Sequence, residues 1–196
     1  YVGRSEIQNI NIKYNTEWSI SERSEIKFGT QLLWHKLSPG ERLPFDTLSS
    51  TIPIVLDAEN GLEHGSYISH SWLVHEKLSL QYGVRFTGLS TFGPGPVFSF
   101  EENKERLVDN ISDTTYYGRN EIIDRFLRAE PRMLITWRPD DHRTIKAAYT
   151  RSQQYLQLIS SSVIPAPTDT WKLSNRLIDP LQVDQYSLGY YQSSAN

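Results

Sequence analysis

The sequence predicts an all-β protein whose strands form an antiparallel transmembrane barrel. Several segments alternate apolar and polar residues with a period of two, as a strand with two different faces requires. Very short turns alternate with connections of roughly 25 to 35 residues, far beyond the usual hairpin loop of about 2–5 residues. Lys and Arg also recur in mid-strand on the polar side, where a dry core would make them very costly.

The clearest hairpin is predicted at residues 132–151. The apolar faces of its two strands consist of Met133, Ile135 and Trp137, and of Ile145, Ala147 and Tyr149. Pro139 to His142 supply turn chemistry between them, since a proline fixes φ and aspartates bond their own backbone. The same pattern predicts five further strands, at 8–18, 25–35, 66–74, 78–87 and 183–191. We therefore expect seven strands in all.

Turns and long loops alternate along the chain. Short turns are predicted at 19–23, 75–77 and 139–142, and long loops at 37–63, 91–126 and 156–180. All short turns then lie at one end of the sheet and all long loops at the other. That asymmetry is typical of outer-membrane barrels, which have short periplasmic turns and long extracellular loops.

The two faces are expected to meet different surroundings. The apolar face would contact lipid, with an aromatic girdle near the strand ends formed by Trp18, Trp34, Trp72 and Trp137. The polar face would line a watery lumen. Its candidate lining residues are Lys13, Lys27, Gln31, Gln81, Arg85, Arg132 and Lys146.

Composition excludes several other classes. The chain has 196 residues, 38% of them hydrophobic and 12% aromatic, with a mean hydropathy of -0.50. It lacks the run of about 18 apolar residues that a transmembrane helix needs. A net charge of -3 gives no basic footprint for nucleic acid. Without Cys there can be no disulfide, thiolate metal site or thiol catalysis.

No catalytic, cofactor-binding or metal-binding residue is predicted. His70 and His75 would point to opposite faces of one strand, which disfavours a shared metal. The segment from Asp109 to Asp113 has calcium-like oxygens but lacks the Gly and distal Glu of an EF-hand. Asp140 and Asp141 are more simply turn formers than an acid–base pair.

Four segments resemble the β-barrel of TonB-dependent outer-membrane receptors, especially the subgroup with an N-terminal carboxypeptidase-regulatory-like domain. They are LSLQYGVRFT at 78–87, AEPRMLITWRPDDHRTIKAAYTRSQQYLQLIS at 129–160, PAPTDTW at 165–171 and DPLQVDQYSLGYY at 179–191. Each segment alone is weakly specific, whereas their order and spacing together are fairly specific and cover nearly the whole chain.

The resemblance implies a 22-stranded barrel with an N-terminal plug in the bacterial outer membrane. Such a receptor imports a scarce nutrient of the glycan, siderophore, cobalamin or peptide class, as a small molecule or an oligomer, with energy from the TonB complex acting through the plug. The resemblance leaves room for a surface lipoprotein as a further partner. Plug, TonB box and most strands are missing from this sequence, so we expect residues 1–196 to be part of such a barrel. No substrate residue of the family carries over.

One alternative belongs to a different class, a soluble β-sandwich that binds carbohydrate by stacking sugars on exposed Tyr and Trp. It predicts that the apolar faces meet in a dry core, and the mid-strand cations count against it. An enzyme has no supporting constellation of residues.

Overall fold

The protein is all-β. The computed structural model describes residues 2–43, 54–160 and 169–193. Within these ranges the strands are β1 (Val2–Ser21), β2 (Ser24–Leu43), β3 (Ile54–Val55), β4 (Glu59–His75), β5 (Leu78–Phe92), β6 (Gly95–Phe100), β7 (Ile111–Tyr117), β8 (Ile122–Asp140), β9 (Arg143–Gln154), β10 (Leu156–Ile159), β11 (Thr170–Leu173) and β12 (Leu181–Gln192). A short 3-10 turn covers Val108–Asn110. In the same ranges, no helix is both long and apolar enough to cross a membrane.

Seven long strands form one antiparallel sheet in the order β1-β2-β4-β5-β8-β9-β12, and β3 adds to β2. These seven correspond to the seven predicted strands. Neighbours along the chain are neighbours in the sheet once the small elements of the long connections are set aside. The sheet is therefore a meander, the connectivity that short turns favour.

The strand ends predicted at the long loops were wrong, because the strands run well into those loops, whereas the ends predicted at the short turns agree within a few residues. β2 continues to Leu43 and β4 begins at Glu59, inside the loop predicted at 37–63. Pro39 and Gly40 suggested a loop, but they lie at a register shift between β1 and β2. A bulge accommodates a proline without loss of a ladder hydrogen bond, so the strand passes through it. Residues 44–53 of that loop lie outside the described ranges.

The other two predicted loops also contain strands. β6 and β7 pair as a hairpin within 91–126, and β8 already begins at Ile122. β10 and β11 pair within 156–180; residues 161–168, which include Pro165 and Pro167, are outside the described part. Short turns join β1 to β2, β4 to β5 and β8 to β9, so the predicted asymmetry of the two sheet ends is confirmed.

A small apolar core lies at the long-connection end of the sheet. Leu37, Leu89, Tyr155 and Leu173 are buried there, with Phe126 and Leu156 packed against them. Leu37 and Leu89 share strand parity with His35 and Thr87, so the core caps the polar side of the sheet. Most other large apolar side chains lie on the opposite side and are exposed.

Candidate functional site

The register aligns the polar residues of successive strands on one side, which we call the polar face. Lys13 pairs with Gln31 across β1 and β2, and Arg132 lies opposite Gly83 across β5 and β8. Strand parity extends this side over the sheet. It carries all seven residues predicted from the sequence, namely Lys13, Lys27, Gln31, Gln81, Arg85, Arg132 and Lys146. The structure thus brings them to one face.

Arg85 connects three strands of the polar face. Its Nη2 donates to Gln31 Oε1 at 3.1 Å, and Gln31 Nε2 donates in turn to Asn11 Oδ1 at 3.1 Å. The guanidinium reaches β2 by lying over Gly65, where a Cβ would stand 2.7 Å from Nη2. Gly65 therefore leaves the space that this crossing needs.

Glu130 is the buried acid of this network, at 4% exposure. Its Oε1 accepts from Thr87 Oγ1 at 3.3 Å and from the Gln153 amide at 2.9 Å. Its Oε2 lies 4.0 Å from Arg85 Nε and 3.5 Å from Arg132 Nη2. One carboxylate is thus shared by two guanidinium groups. Because Glu130 is buried, its electrostatic attraction to them is stronger than it would be at the surface.

Sequence reasoning missed Glu130 because Pro131 argued against a strand before Arg132. In the structure Pro131 pairs with Val84 of β5, while the β8–β9 ladder begins only at Arg132. The missing amide hydrogen therefore costs β8 no bond to β9. The spacing of two between Glu130 and Arg132 was the available signal, because residues two apart on a strand lie on the same face.

The remaining predicted cations have separate surroundings. Lys27 Nζ contacts Glu17 at 2.9 Å and Glu25 at 3.2 Å near a short turn. Lys146 Nζ lies 5.3 Å from the centre of the Tyr191 ring, within range of a cation–π contact. The predicted cations are therefore not one continuous cluster.

The β10–β11 pair, which we call the mouth hairpin, folds onto the polar face at its long-connection end. Leu173 is 1% exposed, and its amide donates to Glu59 Oε2 at 2.9 Å. Lys172 Nζ reaches Glu59 Oε1 at 2.5 Å. Just beyond the hairpin, Arg176 Nε lies 3.0 Å from Asp124 Oδ1. Apolar burial and two ion pairs hold this segment in place.

Tyr155 links the mouth hairpin to the Glu130 network. It follows β9 directly, outside the long strands, and its hydroxyl lies 3.1 Å from Thr87 Oγ1. Burial raises the pKa of the Tyr155 hydroxyl, against the smaller opposing effect of the Thr87 bond. The hydroxyl therefore remains a neutral hydrogen-bonding group.

A cleft of about 270 Å³ opens between the β6–β7 hairpin and the mouth hairpin. Phe92, Val97 and Phe98 give it an apolar wall, and Asp124 and Arg176 line the other side. Its position among the long connections makes it accessible from that end of the sheet.

The opposite side, which we call the apolar face, is open. Trp18, Trp72 and Trp137 share this face and lie within a few residues of the short turns. Trp34 is on the same face but in the middle of β2, stacked on Phe92 at 5.5 Å. The prediction that all four lie near strand ends was therefore wrong for Trp34, since β2 is longer than predicted.

The candidate metal residues have other roles. His70 bonds Ser24 Oγ at 2.8 Å and the Tyr82 hydroxyl at 2.9 Å, and His75 Nδ1 accepts from the Lys77 amide at 3.3 Å. Among the described residues, no group of three or more His, Asp and Glu could hold a metal. Asp109 and Asp113 belong to the 3-10 turn and to β7.

No protein-family model and no curated protein sequence matches the chain. Two solved structures are similar over part of their length, both of the FrpB iron transporter from Neisseria meningitidis. The F3-3 variant is 13% identical with a TM-score of 0.49, and the match covers 76% of this chain and 21% of that one. The F5-1 variant is 12% identical with a TM-score of 0.48, covering 76% and 20%. The chain thus spans about a fifth of these structures.

Proposed function

We propose that residues 1–196 form part of the barrel wall of an outer-membrane active transport receptor. The observation that supports this is the separation of faces over seven long strands. One side presents apolar side chains to its surroundings, and the other carries interlinked polar side chains. Lipid outside and water inside would suit both sides.

The apolar face would be costly in water. Leu188 is 82% exposed, Tyr186 77% and Ile10 65%. Monomeric soluble proteins rarely expose contiguous apolar patches beyond a few hundred Å², because each Å² removed from water is worth roughly 25 cal/mol. Hydrocarbon chains would cover this face along every strand.

The tryptophans fit two membrane interfaces. Trp18 pairs with Ile26 near a short turn, and Trp34 lies eight positions further along β2. At roughly 3.3 Å per residue, about 26 Å of strand separates the two levels. A strand tilt of roughly 35–45° would reduce this to about 19–22 Å across the membrane, slightly less than the apolar band of about 25 Å in outer-membrane barrels.

The sheet needs further strands to work in a membrane. Within the described residues, β1 and β12 each pair with one long neighbour only. Unpaired strand edges are not tolerated in hydrocarbon, so additional strands would have to complete the wall. The sequence resemblance supports a total of 22 and a plug inside.

The two ends of the sheet would have different roles in transport. The long connections would capture a glycan, siderophore, cobalamin or peptide nutrient outside the cell, with a surface lipoprotein as a further partner. Energy from the TonB complex, acting through the plug, would open the lumen lined by the seven polar-face residues. The wall itself would perform no bond chemistry and need no cofactor.

The carbohydrate-binding sandwich is favoured by no particular observation. It requires a second layer against the apolar side of β5, yet Tyr82 and Phe86 are 45% and 50% exposed. Among the described residues, the two smaller sheets are two-stranded hairpins and neither covers that side.

Tryptophan quenching by brominated lipid would test the proposal. Single-Trp variants of the full-length protein would retain either Trp72, on the apolar face, or Trp171, in the mouth hairpin. We expect strong quenching of Trp72 and little of Trp171. A folded, monodisperse protein without detergent, or equal quenching of both residues, would contradict a place in the membrane wall.

A further inference from the structure

A second cleft lies on the polar face, and all the charged side chains that line it are positive. It has a volume of about 510 Å³ and lies over β4, β5 and β8; we call it the arginine cleft. Lys27, Arg85 and Arg132 line it, together with the hydrogen-bonding side chains of Tyr67, Gln81 and Thr150. The residues that line it include no carboxylate. Its wall therefore favours a negatively charged, hydrogen-bonding occupant.

Glu130 does not neutralise both arginines. It is the single acid within 4.0 Å of Arg85 and Arg132 among the described residues, so the three groups together carry one positive charge in excess. Its Oε1 is already engaged by Thr87 and by the Gln153 amide. By contrast, Lys27 has two carboxylates of its own, Glu17 and Glu25.

Arg132 is the group best placed to bind a ligand. Its side chain is 52% exposed, and its contact with Glu130 is a loose 3.5 Å. Gly83, opposite it on β5, has no side chain to cover the guanidinium. A guanidinium presents five donors in a planar fork that matches carboxylate and phosphate oxygens, and most of that fork is uncommitted here.

We propose that the arginine cleft binds an oxyanion group, a carboxylate or a phosphate, of a small diffusible solute. Arg132 binds it directly, while Arg85, held across Gly65 by Gln31, adds positive charge beside it. That the solute is cargo in transit rests on the proposed transport function. The binding site itself does not, because it depends only on the polar face.

Phosphate binding to the full-length protein would test this, measured calorimetrically with inorganic phosphate and then with citrate. We expect weak saturable binding that Arg132→Gln reduces roughly tenfold or more, the range of a charge-assisted pair. Arg132→Lys, which keeps the charge but loses the fork, should weaken binding less. The matched control is Arg128→Gln, which removes the same kind of side chain from the same face of β8, opposite Thr87 and outside the residues that line the cleft. It should change the affinity less than twofold.

The outcomes separate the two proposals. Absence of saturable binding to a protein whose tryptophan near-ultraviolet dichroism shows a folded state would overturn the oxyanion site; an internal carboxylate filling the cleft would give this result. Equal loss of affinity in Arg132→Gln and Arg128→Gln would also overturn it. If Arg132→Gln does not fold, Arg132→Lys supplies the comparison. Arg132-dependent binding in a protein that needs no detergent would support the cleft and refute the transporter.

Discussion

Leu173 of the mouth hairpin occupies the space directly above Gly61 of β4. A Cβ built on Gly61 would stand 2.6 Å from Leu173 Cδ1 and 3.2 Å from Leu89 Cδ1. The two residues are 112 positions apart, and they meet because Gly61 leaves a notch in the sheet that the leucine fills. This contact fixes the long connection between β9 and β12 onto the polar face.

Gly61→Ala should loosen the mouth hairpin. Leu173 is buried on all sides, so overpacking of this kind is expected to cost about 1–3 kcal/mol. We expect faster limited proteolysis around 156–178 and a lower urea midpoint. The control is Gly95→Ala, because a Cβ there meets nothing within 4 Å. If Gly61→Ala and Gly95→Ala behave alike, the notch has no role in holding the hairpin.

Gly65 and Arg85 should be energetically coupled. The three atoms nearest to a Cβ built on Gly65 all belong to the guanidinium of Arg85, at 2.7–3.1 Å. This group is at the end of a flexible side chain. Gly65→Ala should therefore displace the guanidinium from Gln31 at a cost of about 1–2 kcal/mol. In an Arg85→Ala background the same substitution should cost close to nothing, which a double-mutant cycle of urea unfolding would measure.

Gly29→Ala is the matched control for that cycle. Its Cβ would stand 2.6 Å from the Tyr14 carbonyl oxygen, and a backbone atom cannot move aside as a side chain can. The cost of Gly29→Ala should therefore be unchanged by Arg85→Ala. A Gly65→Ala penalty that persists without Arg85 would show that the glycine serves the backbone and not the arginine.

Much of the sheet follows from alternation alone. The period of two predicted seven strands, the alternation of short turns and long connections between them, and the polar face that carries Arg85 and Arg132. Strand lengths were underestimated because a proline in the sequence suggests the end of a strand. In the structure Pro39 lies at a register shift between β1 and β2, and Pro131 lies just before the β8–β9 ladder begins. Glu130 was missed for the same reason.

The mouth hairpin could not be predicted from sequence. The pairing of Glu59 with Lys172 joins residues 113 positions apart, and nothing in their local sequence marks them as partners. The notch at Gly61 has the same character, since a strand glycine alone does not reveal what covers it. Long-range contacts between loop and sheet are decided by packing, which local periodicity does not encode.

Asp140 should make the β8–β9 turn sensitive to acid. Its Oδ1 accepts from the amides of His142 and Arg143, and its Oδ2 from Arg143 Nε at 2.6 Å. The Arg143 side chain holds the pKa of the Asp140 carboxyl below its ordinary value of 3.8. Because the pKa is lower in the folded state, the carboxylate stabilises the turn above about pH 4, and this is lost as pH falls through the folded pKa.

Melting temperatures from pH 7 to pH 2.5 would measure that loss. The difference between wild type and Asp140→Asn should be largest near neutral pH and shrink below pH 4. Asp141→Asn is the control, because the Asp141 side chain makes no hydrogen bond or ion pair among the described residues; this variant should follow wild type throughout. A difference for Asp140→Asn that stays constant into acid would rule out the ionised carboxylate as its cause.

Ile68 and Ser69 sit side by side in β4 and point to opposite faces. Ile68 is 53% exposed on the apolar face, whereas Ser69 lies on the polar face beside the arginine cleft. In a soluble protein, a charge at so exposed a position as Ile68 would change stability by about 0.5 kcal/mol or less. Facing lipid near the middle of a bilayer, Ile68→Arg should instead cost about 2–4 kcal/mol.

Ser69→Arg supplies the matched comparison, measured at high salt so that repulsion from Lys27, its partner on β2, is screened. If the polar face lines a water-filled lumen, this added charge should cost much less. Unfolding of the full-length protein in lipid vesicles, followed by tryptophan fluorescence, would measure both variants. If the protein also folds in detergent-free buffer, the difference in stability between the two variants should vanish there. A small effect of Ile68→Arg in vesicles, equal to that of Ser69→Arg, would mean that the exposed apolar residues of β4 do not contact hydrocarbon, and the membrane assignment would fall with that result.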